Sequence, residues 1–160
     1  MEFNILAILV AAIVPIVIGF VWYNPKTLGI VWMRESGMTE EKFRNSNMLV
    51  IFGVTLVLSF LLAFSVQSLV IHQMGALGMI GADVESALPS YQAFMDDYGN
   101  SYRTFKHGAL HGILSAIFMF FPVIAVTALF ERKSWKYIFI NAGFWAVCLT
   151  IMGAIVCGWV

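Results

Sequence analysis

Charge is scarce in this chain. Only 11% of its 160 residues are Asp, Glu, Lys or Arg and 61% are hydrophobic, where an ordinary soluble domain carries about 25% charged and about 45–50% apolar residues. A soluble core of this size could not bury that much apolar surface, so lipid must cover the remainder. Nine basic and nine acidic residues cancel, which removes the electrostatic case for nucleic acid as a partner. Cysteine is nearly missing as well. Cys148 and Cys157, the two present, stand about 180° apart around a helix by its 3.6-residue period, so they cannot pair within the chain. There is no C-x-x-C, which excludes redox chemistry of the disulfide-exchange type.

A third absence is positional. Four stretches, about 3–23, 48–71, 108–130 and 137–160, contain no Asp, Glu, Lys or Arg, and each is long enough to cross roughly 30 Å of hydrocarbon at 1.5 Å per residue. A charge at the centre of such a span costs about 2.5–3.5 kcal/mol on insertion scales, and proton-coupled pumps keep one there for function. Its absence disfavours ordinary proton-driven transport. The expected fold is therefore all-α: a polytopic membrane protein with four transmembrane helices in a single domain over 1–160. Pro15 and Pro122 are candidate kinks, tolerated because the backbone in lipid has no competing solvent. The intramembrane amides Gln67 and Asn141 are expected to bond between helices. The first segment is expected to be a mature helix, not a cleaved leader, because "MEFN" opens on an acid and no small-residue cleavage site precedes "WYNPK".

That "WYNPK" stretch marks where the first span leaves the bilayer. Trp22 and Tyr23 are rings of the kind enriched at headgroup level, and Asn24 before Pro25 is pushed out of the helical region. Beyond it, Leu28, Val31, Trp32 and Glu35 recur at helical spacing, as in a short interfacial helix stopped by Gly37. Thr39 followed by Glu40 and Glu41 has the pattern of an N-cap with acids in the first turn. Trp22, Tyr23, Asn24, Pro25 and Trp32 are thus expected interfacial anchors. "FERKSWK" is short enough only for a tight turn between antiparallel helices. In the long connection 72–107, Tyr91, Phe94, Met95, Tyr98, Tyr102 and Phe105 recur every three or four residues, which predicts an amphipathic helix on the interface from Ser90 onward.

All three histidines belong at one membrane face. His107 and His111, in "KHGALHG", are four residues apart and share a helical face; His72 lies at the same end of the second span. Three imidazoles suit zinc or copper, with Asp83, Glu85, Asp96 or Asp97 as possible supporting groups. Haem fits less well, since axial ligation needs facing histidines on different helices and His72 alone could face the other two. The competing reading has interfacial histidines bonding to loop carbonyls or headgroups. The same string spaces Gly108, Gly112 and Ala116 by four, which allows close backbone approach in lipid, and the last span offers Ala142, Ala146, Thr150, Ala154 and Gly158. The first span contributes Ala7, Ala11, Pro15 and Gly19. Such stripes serve packing within one bundle or contact with a second copy.

"WYNP" followed by "LG" and Trp32-Met33, then "HGALHG", then "LFERKSW" before a glycine-containing last helix together resemble the small bacterial membrane family catalogued as domain of unknown function 1761. The resemblance runs in order over nearly the whole chain. It implies a compact four-span protein of the bacterial cytoplasmic (inner) membrane and implies no activity, because the family has none to transfer. The residues that match its pattern are Trp22, Tyr23, Asn24, Pro25, Gly29, Trp32, His107, Gly108, His111, Gly112, Pro122, Phe130 and Glu131. The long aromatic connection looks fuller than that pattern.

The sequence favours a non-enzymatic helical bundle in the lipid bilayer that forms a homo-oligomer or an accessory subunit of a larger membrane complex. The alternatives are a metal-binding protein or small membrane enzyme built on His72, His107 and His111, and a carrier or channel for a small neutral solute. Orientation follows from basic residues beside the spans. Lys26, Arg34, Lys42, Arg44, Arg132, Lys133 and Lys136 share one side and only Arg103 and Lys106 the other, which puts both termini and the 72–107 connection outside the cytoplasm. A reporter fused after Val160 that works only in the cytoplasm should therefore be silent; strong activity would reverse the topology.

Overall fold

A computed structural model describes residues 4–160, and every regular element in it is helical. In chain order these are α1 (Ile5–Trp22), α2 (Gly29–Ser36), α3 (Glu40–Arg44), α4 (Met48–Val70), α5 (Gln73–Met79), α6 (Pro89–Tyr98), α7 (Phe105–Ser115), a π-helical turn (Ala116–Phe120), α8 (Phe121–Phe130) and α9 (Trp135–Gly158). Four apolar rods of 18, 23, 26 and 24 residues result, with α7, the π turn and α8 forming one of them. At 1.5 Å per residue they are roughly 27–39 Å long, enough to cross a bilayer. The expected start of the first span at Phe3 lies outside the described residues. The third span begins three residues earlier than its lack of charge suggests, because the Thr104 hydroxyl accepts the His107 N–H and caps α7 there.

The α9 helix is the hub of the bundle. Its buried face, Cys148, Leu149, Met152, Val156 and Cys157, meets Ile8, Ala11 and Ala12 of α1 and Ala63, Val66 and Val70 of α4. Ala125 and Ala128 of α8 pack on Ile138 in a smaller cluster toward the other end. The closest approach is between α7 and α9. A Cβ added to Gly108 would stand 2.1 Å from the Gly153 carbonyl oxygen, and one on Gly112 the same distance from that of Leu149. Gly153 is equally constrained, with Gly108 O at 2.4 Å. These glycines therefore find their partners inside one chain.

Two sets of contacts define the ends. At one, the Asn4 amide donates to the Trp159 carbonyl, and the 72–104 connection lies beside them. At the other, Lys133 Nζ donates to Ser36 O (2.8 Å) and the Ser134 hydroxyl to Glu35 Oε2 (2.6 Å), so the two basic connections meet. The same Ser134 oxygen accepts the Tyr137 N–H and caps α9. Its hydrogen bond, with that of Arg34, holds the Glu35 carboxyl below the usual carboxylate range.

Local signals at the basic end act as the sequence suggests. Gly37, at φ +76°, closes α2, and the Thr39 side chain accepts the Lys42 N–H at the start of α3. Gly29 is required by space: a Cβ there would lie 2.2 Å from the Tyr23 carbonyl oxygen, because the turn folds back so that Gly29 N–H bonds Asn24 O. The Trp22 and Tyr23 rings, expected at the headgroups, bond within the bundle. The indole donates to Ile140 O and the phenol to Asn141 Oδ1, both at 3.1 Å, which docks the end of α1 on α9. Tyr23 also packs on Trp32 and Phe144.

Three expectations change. The aromatic helix predicted from Ser90 ends at Tyr98; Gly99 follows, and Tyr102, at φ +63°, turns the chain before α7. A short helix, α5, occupies residues assigned no structure. Gln67 bonds the Phe64 carbonyl of its own helix instead of a neighbour. Neither proline breaks its span: α1 continues through Pro15, while the widened π turn lies just before Pro122, whose ring would otherwise press on the Phe118 carbonyl.

Replacing Gly112 by Ala should lower the melting temperature in detergent by an amount corresponding to about 1–3 kcal/mol of overpacking. Gly53→Ala, where nothing lies within 4 Å, should not lower it. A Gly112→Ala protein that melts like its parent would contradict the close approach of α7 and α9.

Candidate metal centre

Three pieces of chain converge at the histidine end. Ile71 leaves the helical region after α4, and His72 then stands at the N-cap of α5. His107 and His111 lie one turn apart on α7. Since Gly108 and Gly112 face α9, the histidines one position earlier in sequence are rotated about 100° from it, and α7 turns them toward the end of α4. The Cys157 sulfur sits beneath this junction, 3.3 Å from Val70 O and 3.4 Å from Tyr102 O, so its one weak donor is shared between the chains that lead to His72 and to α7. Arg103 Nε adds a bond to Cys157 O at 2.9 Å.

The result brings His72, His107 and His111 together. Each offers a ring nitrogen within 4.8 Å of those of the other two. Ring centroids are 4.8 Å apart for His72 and His107, 5.0 Å for His72 and His111, and 4.4 Å for His107 and His111. The rings are mutually tilted, not stacked. Nε2 of His107 is 2.8 Å from Nε2 of His72, a hydrogen bond in which one neutral imidazole donates and the other accepts according to tautomer. His72 is exposed, while His107 and His111 are half-buried.

A tetrahedral zinc with Zn–N bonds of about 2.0–2.1 Å holds its nitrogens about 3.3 Å apart. The observed spread, from 2.8 Å to at most 4.8 Å, brackets that value, so small ring rotations suffice. Among the described residues the group of candidate ligands contains these three histidines and no Asp, Glu or Cys. The acids named as possible helpers are engaged elsewhere or stand apart: Asp83 accepts from Ser86, Asp96 accepts from Gln92, and neither Glu85 nor Asp97 joins the cluster. The hydrogen bonds to Ser86 keep the Asp83 carboxyl below its ordinary range.

Sequence reasoning missed two neighbours of the site. Tyr102 adopts the left-handed backbone conformation at φ +63°, costly for a bulky residue, and its ring lies 5.8 Å from His72 and 5.1 Å from His107. Gln73 is buried, and its amide donates to Tyr98 O (2.7 Å) and Ser101 O (2.9 Å), fastening α5 to the turn after α6. Its Oε1 is buried with no partner. Neither residue belongs to a recognisable motif; the run of aromatics at helical spacing hid the turn at Tyr102.

The remaining expected residues fall on packing surfaces. Ala116 and Ala142 are buried, Ala146, Ala154 and Gly158 are half-buried, and Thr150 donates to Ala146 O in its own helix. A Cβ on Gly158 would meet the Phe105 backbone nitrogen at 2.6 Å. Gly153, outside the stripe read from the sequence, is the residue that faces Gly108. Cys148 and Cys157 are both free and buried.

Four helices long and apolar enough to cross a membrane, packed as one bundle, make this a multi-pass membrane protein of the all-α class. The chain belongs to the family described as protein of unknown function DUF1761, which it matches over residues 6–157, from the start of α1 to the last turn of α9. No curated protein and no solved structure matches it.

Proposed function

We propose that this protein is a metal-binding protein of the bacterial cytoplasmic membrane, holding one zinc or copper ion on His72, His107 and His111 at the extracytoplasmic end of its helix bundle. The observation that carries this reading is the convergence of all three histidines of the chain, one from the connection after α4 and two from α7, to nitrogen spacings that a single ion can bridge. Histidines that merely bond to headgroups have no reason to meet one another. Imidazole nitrogen suits both metals, and three protein ligands with an open fourth position is the arrangement of reactive zinc, not of a closed structural site. The orientation rests on the seven basic residues at the opposite end of the bundle. The reading accounts for why "KHGALHG" is one string: its glycines set the depth of α7 against α9, and its histidines take their position from that depth.

Protein purified without a histidine tag and dialysed against zinc or copper should retain about one equivalent. At 100 times its dissociation constant the ion should stabilise the fold by about 2.7 kcal/mol, seen as a melting temperature several degrees higher that chelator reverses. His72→Ala removes an exposed side chain together with its hydrogen bond to His107, so it should lower the metal-free melting temperature only slightly while abolishing both the bound equivalent and the shift. Failure to retain either ion above the His72→Ala background overturns the proposal.

A further inference from the structure

Beside the three histidines lies a cleft of about 230 Å³, lined by His72, Gln73, Phe94, Tyr98, Ser101 and Tyr102. His72 and Tyr102 belong both to this cleft and to the histidine cluster, since the Tyr102 ring packs against His72 and His107. Phe94 and Tyr98 form the far wall, 5.3 Å apart by ring centroid and both exposed. We propose that the cleft takes a small oxyanion with a ring-sized apolar body, whose charged oxygen completes the coordination of the metal. This inference rests on the metal-binding reading above and names what the open coordination position is for.

Charge, size and strain support it. Three neutral imidazoles leave the full double charge of a zinc or cobalt ion uncompensated, and among the described residues no carboxylate joins the ligand group. A bound cation is then the largest local charge and favours an anionic fourth ligand. The volume falls below the roughly 300–1,000 Å³ of pockets for drug-sized ligands, which suits a single ring and not an acyl chain. Tyr102 holds an unfavourable backbone conformation with its ring exposed against two of the three imidazoles, and strain of this kind gathers where a ligand must be gripped. Finally, Gln73, adjacent to His72 in sequence and part of the cleft lining, keeps a buried oxygen without a donor, which a ligand N–H or O–H would satisfy once the side chain moved to admit it.

The test uses the full-length, tag-free protein in detergent loaded with cobalt(II), whose visible absorption reports coordination. Acetohydroxamate and benzohydroxamate share one metal-binding head and differ in the ring. Both should change the cobalt spectrum, and benzohydroxamate should bind about tenfold more tightly, the gain expected for burying an aromatic ring. Phe94→Ala and Tyr98→Ala should each erase that preference while leaving the bound cobalt and the acetohydroxamate affinity unchanged. A cobalt spectrum indifferent to both hydroxamates, equal affinity for the two, or a preference that survives both substitutions overturns the inference and leaves metal binding standing. Absence of any cobalt spectrum from protein that also retains neither zinc nor copper instead overturns the metal-binding reading beneath it.

Discussion

The contact between α7 and α9 through Gly108, Gly112 and Gly153 is the constraint on which the rest of the structure depends. In lipid there is little hydrophobic force between helices, so association relies on close van der Waals packing and on the few hydrogen bonds available. With no side chain at these positions, each backbone lies against the other's carbonyls. That depth brings Cys157 beneath the ends of α4 and the turn before α7, where its sulfur meets both carbonyls. His72 and His107 then face each other at hydrogen-bonding distance. A helix pair held apart by even one methyl group would move His107 and His111 relative to His72, and the three nitrogens would cease to share a centre.

The opposite end of the bundle is held by different means. There the aromatic rings of Trp22 and Tyr23 hydrogen-bond to α9, and the Glu35, Ser134 and Lys133 side chains tie α2 to the α8–α9 turn. Individual hydrogen bonds between membrane helices average about 0.6 kcal/mol, so this end is secured by several small contributions. The histidine end depends instead on packing that tolerates no added atom. A metal ion there would join the α4–α5 junction to α7 across the surface, reinforcing the links that Cys157, Gln73 and the His72–His107 bond already make.

Much of this was legible in the residues. The spans could be found because lipid excludes charge, a property of composition that needs no tertiary information. Thr39, Gly37 and the "WYNP" turn could be read because caps and proline act within a few residues. The shared face of His107 and His111 follows from helical period alone. The arrival of His72 beside them followed only as far as topology goes: the same end of the membrane, not the same 4.8 Å. That distance depends on how far α4 rises against α7, which is set by contacts between residues remote in sequence. The choice of Gly153 over Ala154 as the close-contact residue of α9 was hidden for the same reason, since that helix carries small residues on several faces. Tyr102 and Gln73 were invisible because a turn held by backbone strain and a buried amide has no periodic signature. Gln67 bonds within its own helix, where an amide in lipid had been expected to reach across.

The proposed metal chemistry requires the three clustered imidazoles of His72, His107 and His111 to surround one ion at the end of an oily bundle. X-ray absorption at the zinc edge of the zinc-loaded protein tests that most directly, because it counts and ranges the atoms bound to the metal. Expected is a first shell of three nitrogens and one exogenous oxygen at about 2.0–2.2 Å, with the outer-shell scattering of imidazole rings. A shell of oxygens alone without ring scattering, or one containing sulfur at about 2.3 Å, would contradict it.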